Sequence, residues 1–213
     1  MKLYVYDHCP FCVRARMIFG LKNIPCEIVF LANDDETTPQ TLIGKKMLPI
    51  LVTDEGEIIG ESLDIVRYID AITGKPTLSD PASTVEAWIE EVSRLIYQLA
   101  IPRWSYSDYP EFKNESARTY FTQKKENVFG SFSTLMKESP ALIKAVNIKL
   151  IDLDQILAAL PTTERYSLTD ILLYPVLRSL SIVKGVEWPV GLDAWRKRVA
   201  TDCRVPLNDA IAI

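Results

Sequence analysis

Hydrophobic positions in the first third of the chain alternate between strand-like and helix-like spacing. Residues 2–7 are rich in tyrosine and valine and predict a buried strand, and apolar residues at every fourth position over 13–21 predict a helix. Residues 26–31 predict a second strand, and a short helix follows that ends near residue 43. A strand, a helix and a strand in this order predict a parallel pair with a right-handed crossover.

The next segment predicts a hairpin and another helix. Two short apolar runs, 47–52 and 58–59, flank an acidic turn that contains glycine. A helix is predicted to open at residues 61–62 and to end near Gly74. Residues 1–72 therefore predict an α/β domain with the element order β-α-β-α-β-β-α.

The pattern becomes entirely helical in the second part of the chain. Residues 73–83 contain two prolines and several small polar residues, which predict a linker. Residues 84–213 show helical spacing of apolar positions and predict an all-α domain. Because the helix that carries Trp88 has a broad apolar face, we expect the helical domain to bury the apolar side of the first domain. The later helices are expected at 114–137, 140–160, 168–183 and 191–201.

Composition and charge narrow the classes of function. The net charge is −4, with 7 basic and 11 acidic residues in 1–72 and 17 of each in the rest, so neither part forms a basic nucleic-acid surface. No run approaches the roughly 18 apolar residues that span a bilayer. The chain enters its first strand without a signal-peptide pattern. We therefore expect a cytoplasmic protein that binds small molecules or proteins and no membrane.

The candidate chemistry centres on Cys9-Pro10-Phe11-Cys12, between the first strand and the first helix. A Cys-x-x-Cys pair forms either a redox-active disulfide or two ligands of a zinc ion. Zinc needs further ligands, but the other two cysteines are isolated and the single histidine directly adjoins Cys9. The sequence therefore favours a redox pair with no metal.

Cys9 is predicted to lie at or just before a helix N-terminus. Unpaired backbone N–H groups and the positive end of the helix dipole stabilise a thiolate there. His8 would add positive potential if it is protonated. Cys26 and Cys203 are expected to be ordinary buried or surface thiols.

Three segments of the first domain resemble the glutaredoxin type of thioredoxin fold. They are the Cys-Pro-Phe-Cys turn, Leu48-Pro49 before the third strand, and Glu61-Ser62 at the start of the third helix. The helical part resembles the glutathione-transferase C-terminal domain, in which a capping box like Ser167-x-x-Asp170 starts a central helix. The whole chain therefore resembles the bacterial two-domain glutaredoxins, with a thioredoxin-like N-terminal domain and a glutathione-transferase-like architecture overall.

This resemblance implies glutathione-dependent thiol–disulfide exchange. Cys9 would be the exposed nucleophile, and the shielded Cys12 would resolve a mixed disulfide by attacking the Cys9 sulfur. Glutathione would be the cosubstrate, and disulfide-containing or glutathionylated proteins would be the substrates. The resemblance also favours a monomer.

The resemblance further implies a glutathione site that comprises Cys9, Pro10, Phe11, Leu48, Pro49, Glu61 and Ser62. Pro49 would be a cis-proline beside the backbone groups of Leu48 that pair with the ligand, the alternative being an ordinary trans proline at a sheet edge. Glu61 and Ser62 would hold the γ-glutamyl group, although such residues often simply cap a helix. Phe11 would offer an apolar surface or merely pack. Lys45 and Lys46 could meet a carboxylate, but solvated loop lysines are the simpler interpretation.

Two other functions stay open at this point. A glutathione transferase conjugates electrophiles, although that family uses a tyrosine or serine to activate glutathione where this chain has a cysteine. A glutathione-ligated iron–sulfur carrier is the second alternative. Pro10 after Cys9 resembles the catalytic dithiol pattern rather than the Gly-Phe-Ser pattern linked with clusters.

Overall fold

A computed structural model describes residues 1–72, 74, 77–161 and 166–213 of the chain. The strands are Lys2–Val5 (β1), Glu27–Phe30 (β2), Ile50–Val52 (β3) and Ile58–Ile59 (β4). The helices are Pro10–Leu21 (α1), Thr37–Ile43 (α2), Ser62–Ile72 (α3), Ser83–Tyr106 (α4), Glu115–Phe129 (α5), Phe132–Ala159 (α6), Leu168–Leu180 (α7) and Val190–Cys203 (α8). Short 3-10 turns lie at Pro110–Phe112 and Asp209–Ile211.

The four strands form one sheet in the order β2-β1-β3-β4. β1 is parallel to β2 and antiparallel to β3, and β3 is antiparallel to β4. The predicted parallel pair and hairpin are therefore confirmed. Leu3 and Val5 of β1 are fully buried, and α1 and α3 pack against each other in the same core. The predicted combination of an α/β domain and a helical domain is confirmed.

The core of the α/β domain extends into the helical half. Ile171 and Tyr174 of α7, together with Val199 and Cys203 of α8, belong to the same buried cluster as the sheet and α1. The helix with Trp88, α4, instead packs on α6 and α7 and buries its apolar face in a separate helical core. The expectation that the helical domain buries the apolar side of the first domain is confirmed, and α7 and α8 provide the main contacts with α1.

The break between α5 and α6 lies earlier in the chain than the sequence predicted. The sequence pattern placed a helix end near residue 137, ahead of Pro140, but the chain breaks at Gly130 and α6 continues through Pro140. Gly130 has φ of 90°, a conformation that costs glycine little, so it ends α5. A proline removes one backbone donor from a helix, and buried neighbours on α6 such as Val146 and Leu150 hold the long helix together despite that loss.

The connection between α3 and α4 is only partly described. Thr73, Lys75 and Pro76 of the predicted linker lie outside the described residues. The Asp70 carboxylate accepts the backbone N–H groups of Thr77 (3.0 Å) and Leu78 (3.1 Å), which ties the start of the second half to α3. The domain boundaries given above stay a prediction.

The start of α7 follows the sequence pattern closely. Ser167 and Asp170 form a capping box, in which the Asp170 carboxylate accepts the Ser167 backbone N–H at 2.8 Å. Such a cap contributes about 1 kcal/mol to helix stability. Within the described ranges, no helix is long and apolar enough to cross a membrane.

The closest approach of α1 and α8 depends on Gly20. A Cβ atom at Gly20 would lie 1.9 Å from the backbone carbonyl oxygen of Cys203. We therefore expect Gly20→Ala to lower the free energy of unfolding by roughly 2 to 3 kcal/mol, because the two helices must separate. Urea denaturation of the purified protein would measure the change.

Gly191→Ala is the matched control. A Cβ atom at Gly191 would meet only the carboxylate end of Asp154, a flexible side chain that can move away. Alanine favours a helix over glycine by up to about 1 kcal/mol, so this variant should be as stable as the parent or more stable. Equal losses in the two variants would contradict the account of helix contact at Gly20.

Candidate active site

Cys9 is the residue at which α1 begins. It is the N-cap of the helix, Pro10 occupies the first helical turn, and the Cys9 carbonyl accepts the Val13 N–H at 3.0 Å. Proline is favoured there because its ring presets the helical φ and it lacks an N–H that would be unpaired. Cys9 is partly exposed, whereas Cys12, one turn further along, is fully buried. The predicted helix-end position and the difference in exposure are confirmed.

The Cys9 thiol is strongly acidified. Its pKa is lowered to about 6, first because the Cys12 thiol donates a hydrogen bond to it. Burial opposes this effect, while the backbone N–H groups of Phe11 and Cys12, and the charge of His8 when it is protonated, add to it. The helix end therefore contributes as predicted, but the partner thiol contributes more. At neutral pH Cys9 is mainly a thiolate.

Cys12 has the opposite character. Burial, its hydrogen bond to Cys9 and the negative charge of Cys9 raise the pKa of the Cys12 thiol. The backbone N–H of Tyr6 donates to the Cys12 sulfur at 3.4 Å, which anchors that sulfur against β1. The pair thus consists of one accessible thiolate and one protected thiol that donates to it.

The turn before Cys9 is held by the helical half of the chain. Glu111, in the turn between α4 and α5, accepts the His8 backbone N–H at 3.0 Å and contacts the His8 Nδ1 at 2.5 Å. Arg178 of α7 donates to the Asp7 carbonyl at 2.7 Å and to the Asp7 carboxylate at 2.8 Å. Arg16 of α1 pairs with the same carboxylate at 2.5 Å. Both residues that precede Cys9 are therefore fixed by distant parts of the chain.

A cleft of about 530 Å³ opens beside Cys9, between the α/β domain and α5. Its wall from the first domain comprises Tyr6, His8, Cys9, Asn33, Lys46, Met47 and Leu48. Its opposite wall, from α5, comprises Tyr120, Phe121, Lys124, Lys125, Val128 and Phe129. The cleft can therefore admit a ligand whose sulfur reaches Cys9 while the rest contacts both halves of the chain.

The predicted site residues occupy different parts of this region. Cys9 and Leu48 line the cleft, and the Leu48–Pro49 peptide bond is cis, as the sequence comparison implied. Pro49 itself is buried. Pro10 is also buried and faces a small cavity next to α4 and α7. Phe11 is 47% exposed, so it forms surface beside the cysteines rather than core.

Glu61 and Ser62 lie outside the lining of the cleft. Ser62 is buried as the first residue of α3, and Glu61 precedes it on the surface. The Glu61 carboxylate pairs with Lys45 at 3.3 Å, and both side chains are exposed. The assignment of these residues to ligand binding stays a prediction.

Lys46 has a larger part in the cleft than the sequence indicated. Its ammonium donates to the carbonyl oxygens of Asn33 (2.5 Å) and Asp35 (3.0 Å), and it lies 4.6 Å from the centre of the Tyr120 ring. Burial lowers the pKa of this lysine. Lys46 thereby joins the loop after β2 to α5 at the edge of the cleft.

The residues from the helical half were missed by sequence reasoning. Lys125 is partly buried close enough to Cys9 for the charge of that cysteine to oppose the lowering of its pKa by burial. Glu111 and Arg178 reach the turn over sequence separations of 103 and 171 residues. Helical spacing alone does not reveal which polar residue faces another domain. Within the described part of the chain, no cluster of three or more His, Cys, Asp or Glu side chains could hold a metal ion.

The acidified thiol has a direct chemical consequence. The pKa is lowered to about 6 for Cys9 and raised to about 11 by burial for Cys26, which is also partly exposed. At about pH 6 we expect iodoacetamide to alkylate Cys9 on the order of a hundredfold faster than Cys26, after allowance for the lower intrinsic nucleophilicity of an acidic thiolate. Peptide-resolved mass spectrometry would measure both rates.

The pH dependence of the two rates gives the control. Alkylation of Cys9 should rise through about pH 6 and then level off, whereas alkylation of Cys26 should keep rising well above neutral pH. Parallel profiles for the two cysteines would refute the acidification of Cys9.

Comparison with known proteins places this fold and site in a class. Residues 3–77 match the model of the glutathione S-transferase N-terminal domain, and residues 84–212 match that of the glutaredoxin 2 C-terminal domain. A glutathione S-transferase from Ceriporiopsis subvermispora shares the fold at 14% identity, with a TM-score of 0.71 and coverage of 95% of this chain and 96% of that one. The class is thus a glutathione-transferase-like fold with a Cys-x-x-Cys pair at the start of α1.

The particular family follows from nearer relatives. The chain is 42% identical to glutaredoxin 2 of Escherichia coli strain K12 over 216 residues, covering all of both chains. It is 44% identical to glutaredoxin 2 of Salmonella typhimurium, whose structure in complex with glutathione superposes with a TM-score of 0.95 over 100% of this chain and 98% of that one. The chain belongs to the glutaredoxin 2 family.

Proposed function

We propose that this chain is a glutathione-dependent thiol–disulfide oxidoreductase that reduces glutathione mixed disulfides and protein disulfides. The observation that carries the proposal is the pairing of an acidified, accessible Cys9 with a buried Cys12 at the edge of an interdomain cleft. Membership of the glutaredoxin 2 family supports it, as does the complex of the Salmonella relative with glutathione.

The proposed reaction begins with the Cys9 thiolate. It attacks the glutathionyl sulfur of a mixed disulfide, so that a Cys9–glutathione disulfide forms and the substrate thiolate leaves and takes up a proton. A second glutathione then attacks as its thiolate, which releases oxidised glutathione and restores the Cys9 thiolate. The net reaction consumes one glutathione thiol: the mixed disulfide and one glutathione give the free substrate thiol and oxidised glutathione, so glutathione is the reductant.

Cys12 acts when the substrate is an internal protein disulfide. The protein first forms a mixed disulfide with Cys9, and the Cys12 thiol then loses its proton and attacks the Cys9 sulfur. This frees the reduced substrate and leaves a Cys9–Cys12 disulfide that glutathione reduces. The hydrogen bond between the two thiols keeps Cys12 directed at the sulfur that it must attack.

The glutathione would lie along the first-domain side of the cleft. The Leu48 backbone borders Cys9 there and can pair with the cysteinyl part of the peptide. The N-terminus of α3 at Ser62 would accept the γ-glutamyl carboxylate, and Glu61 would hold its ammonium in place of Lys45. Pro10 and Phe11 would contribute the apolar border of the sulfur site.

An assay with two substrates tests the function. Purified protein would be supplied with glutathione and either a small glutathione mixed disulfide or a chlorinated aromatic acceptor, with the formation of oxidised glutathione or of the conjugate followed separately. We expect rapid reduction of the disulfide and background conjugation, because Cys9 forms a disulfide with glutathione rather than activating it. Conjugation without disulfide reduction would make the chain a transferase instead.

The remaining parts of the sequence interpretation are proposals of the same kind. Glutathionylated or disulfide-containing proteins are the proposed substrates, and the monomeric state and the cytoplasmic location stay predictions. A brown protein after anaerobic purification, with no disulfide reductase activity, would favour the iron–sulfur carrier.

A further inference from the structure

Glu111 is a carboxylate buried directly behind the turn that carries Cys9. It is 0% exposed and belongs to the 3-10 turn between α4 and α5. One of its oxygens, Oε1, accepts both the backbone N–H and the Nδ1–H of His8. Its backbone carbonyl accepts the Asn33 N–H at 3.0 Å. The Glu111 side chain thus holds His8, the residue before Cys9, against the helical half.

Because Glu111 is fully buried, a negative charge on its carboxylate needs a compensating cation nearby. Burial tends to raise the pKa of this carboxyl, but the hydrogen bond from the His8 ring, the charge of that ring when protonated and backbone N–H groups outweigh burial and hold the pKa below its usual value. Independently of that charge, Oε1 receives two N–H groups from His8, and accepting without donating is the role of an ionised carboxylate. A fully buried carboxylate is unstable without a compensating cation, and the His8 imidazole is the ionisable group that bonds to it among the described residues.

The surroundings of His8 favour a cation at the same place. Its ring lies among four aromatic rings at centroid distances of 4.9 to 5.8 Å, those of Tyr6, Trp104, Phe112 and Phe121. The faces of aromatic rings attract positive charge. The second oxygen of Glu111, Oε2, is buried without a hydrogen-bond partner among the described residues, so the side-chain and backbone N–H groups at Oε1 are the hydrogen bonds that this carboxylate receives there.

Several other ionisable groups lie near His8, Glu111 and Cys9. Tyr6 directly follows β1, Cys9 is the N-cap of α1 and Cys12 lies within α1. Tyr109 belongs to the segment before the turn and Lys125 to α5. Asp7 and Arg178 also lie near Tyr109 and form an ion pair with each other at 2.8 Å. Lys125 is a second cation near Cys9 and Arg14 of α1 is a third, so their contributions must be separated from that of His8.

We propose that Glu111 is a positioning residue for Cys9: its carboxylate holds His8 as an imidazolium, and that imidazolium stabilises the Cys9 thiolate. The helical half thus sets the reactivity of a cysteine that belongs to the other half. The inference rests on the proposed function only in taking Cys9 as the nucleophile, and its tests require no turnover.

The charge of His8 can be observed directly because it is the only histidine in the chain. Protein without a histidine tag would be labelled with ¹⁵N, and the two ring nitrogens would be observed by NMR at about pH 7. Two protonated ring nitrogens are expected in the parent protein and one in Glu111→Gln, in which the amide still accepts a hydrogen bond but carries no charge. A neutral ring in the parent protein would overturn the proposal.

The effect on Cys9 is measured by the pH profile of its alkylation. In Glu111→Gln we expect the midpoint of the profile to rise by roughly one to two pH units, because the cation next to the thiolate is lost. Lys125→Met is the matched control for the second cation, and its midpoint should move less than that of Glu111→Gln. An unchanged midpoint in folded Glu111→Gln would reduce Glu111 to a purely structural role and overturn the proposal.

A double variant keeps the test valid if Glu111→Gln does not fold. His8→Phe with Glu111→Leu replaces the buried pair with apolar side chains, which interiors often tolerate well. Its midpoint should rise as far as expected for Glu111→Gln, since both changes remove the same imidazolium. A midpoint equal to that of the parent protein would again overturn the proposal. Failure of the glutathione assay with normal Cys9 acidification would instead count against the proposed function alone.

Discussion

Cys9→Ser is expected to abolish glutathione-dependent reduction of a small mixed disulfide, while Cys12→Ser keeps a substantial fraction of it. A serine hydroxyl is hardly ionised at neutral pH and cannot form the disulfide intermediate, so the first loss should be on the order of a thousandfold or more. Reduction of a glutathione mixed disulfide needs one protein thiol, which explains the difference. A coupled assay with glutathione, glutathione reductase and NADPH measures both variants.

Substitutions of Cys12 test the cause of the low pKa of Cys9. The Cys12 thiol makes the largest contribution to the low pKa of Cys9, through a hydrogen bond that a serine hydroxyl can also donate. Cys12→Ala removes this donor, so its activity at slightly acidic pH should fall below that of Cys12→Ser. Cys26 does not line the cleft, so Cys26→Ser is the control and should be as active as the parent protein. Equal loss in Cys9→Ser and Cys12→Ser would exclude the single-thiol step.

Replacement of Arg178 is expected to cause the largest loss of stability. This arginine is 2% exposed and donates to the Asp7 carbonyl and carboxylate and to the Pro206 carbonyl at 2.8 Å. Burial tends to raise the pKa of Asp7, but the charges of Arg178 and Arg16 hold it low, so Asp7 stays ionised. Arg178→Met would leave the Asp7 and Pro206 carbonyls without this donor and the Asp7 carboxylate with Arg16 alone, and should lower the free energy of unfolding by about 3 to 5 kcal/mol.

Urea denaturation would measure this loss against an exposed ion pair. Arg67→Met breaks the pair of Arg67 with Asp64, at 3.3 Å and with both side chains exposed, and should cost less than about 1 kcal/mol. Comparable effects of the two substitutions would show that burial of the Asp7 network adds nothing to stability.

The local parts of the site were predictable because short segments carry them. Pro10 after Cys9 marks a helix start, and Leu48-Pro49 and Glu61-Ser62 each sit at the beginning of an element. The periodicity of apolar residues likewise indicated the parallel pair, the hairpin and the helical second half. These features depend on neighbours within a few positions, which a sequence displays.

The remainder depends on contacts between segments far apart in the chain. Nothing in the local pattern of Glu111 distinguishes it from a solvated glutamate, yet it is completely buried against His8. Pro140 resembles a helix end, but tertiary packing carries α6 through it, and Gly130 ends the preceding helix instead. The broad apolar face of α4, the helix that carries Trp88, did indicate that this face is buried. The spacing of apolar residues does not say which other helix packs against it.

The shared core of α1, α7 and α8 has a consequence for synthesis on the ribosome. The chain emerges from its N-terminus, so the cysteine pair and the sheet leave the exit tunnel well before the helices that cover α1. Until α7 and α8 follow, Phe19 and the apolar residues around it stay open to water, and the Asp7 turn has no Arg178 to hold it. The nascent chain thus carries both cysteines of the Cys-x-x-Cys pair before α7 and α8, which hold the turn beside them, have emerged.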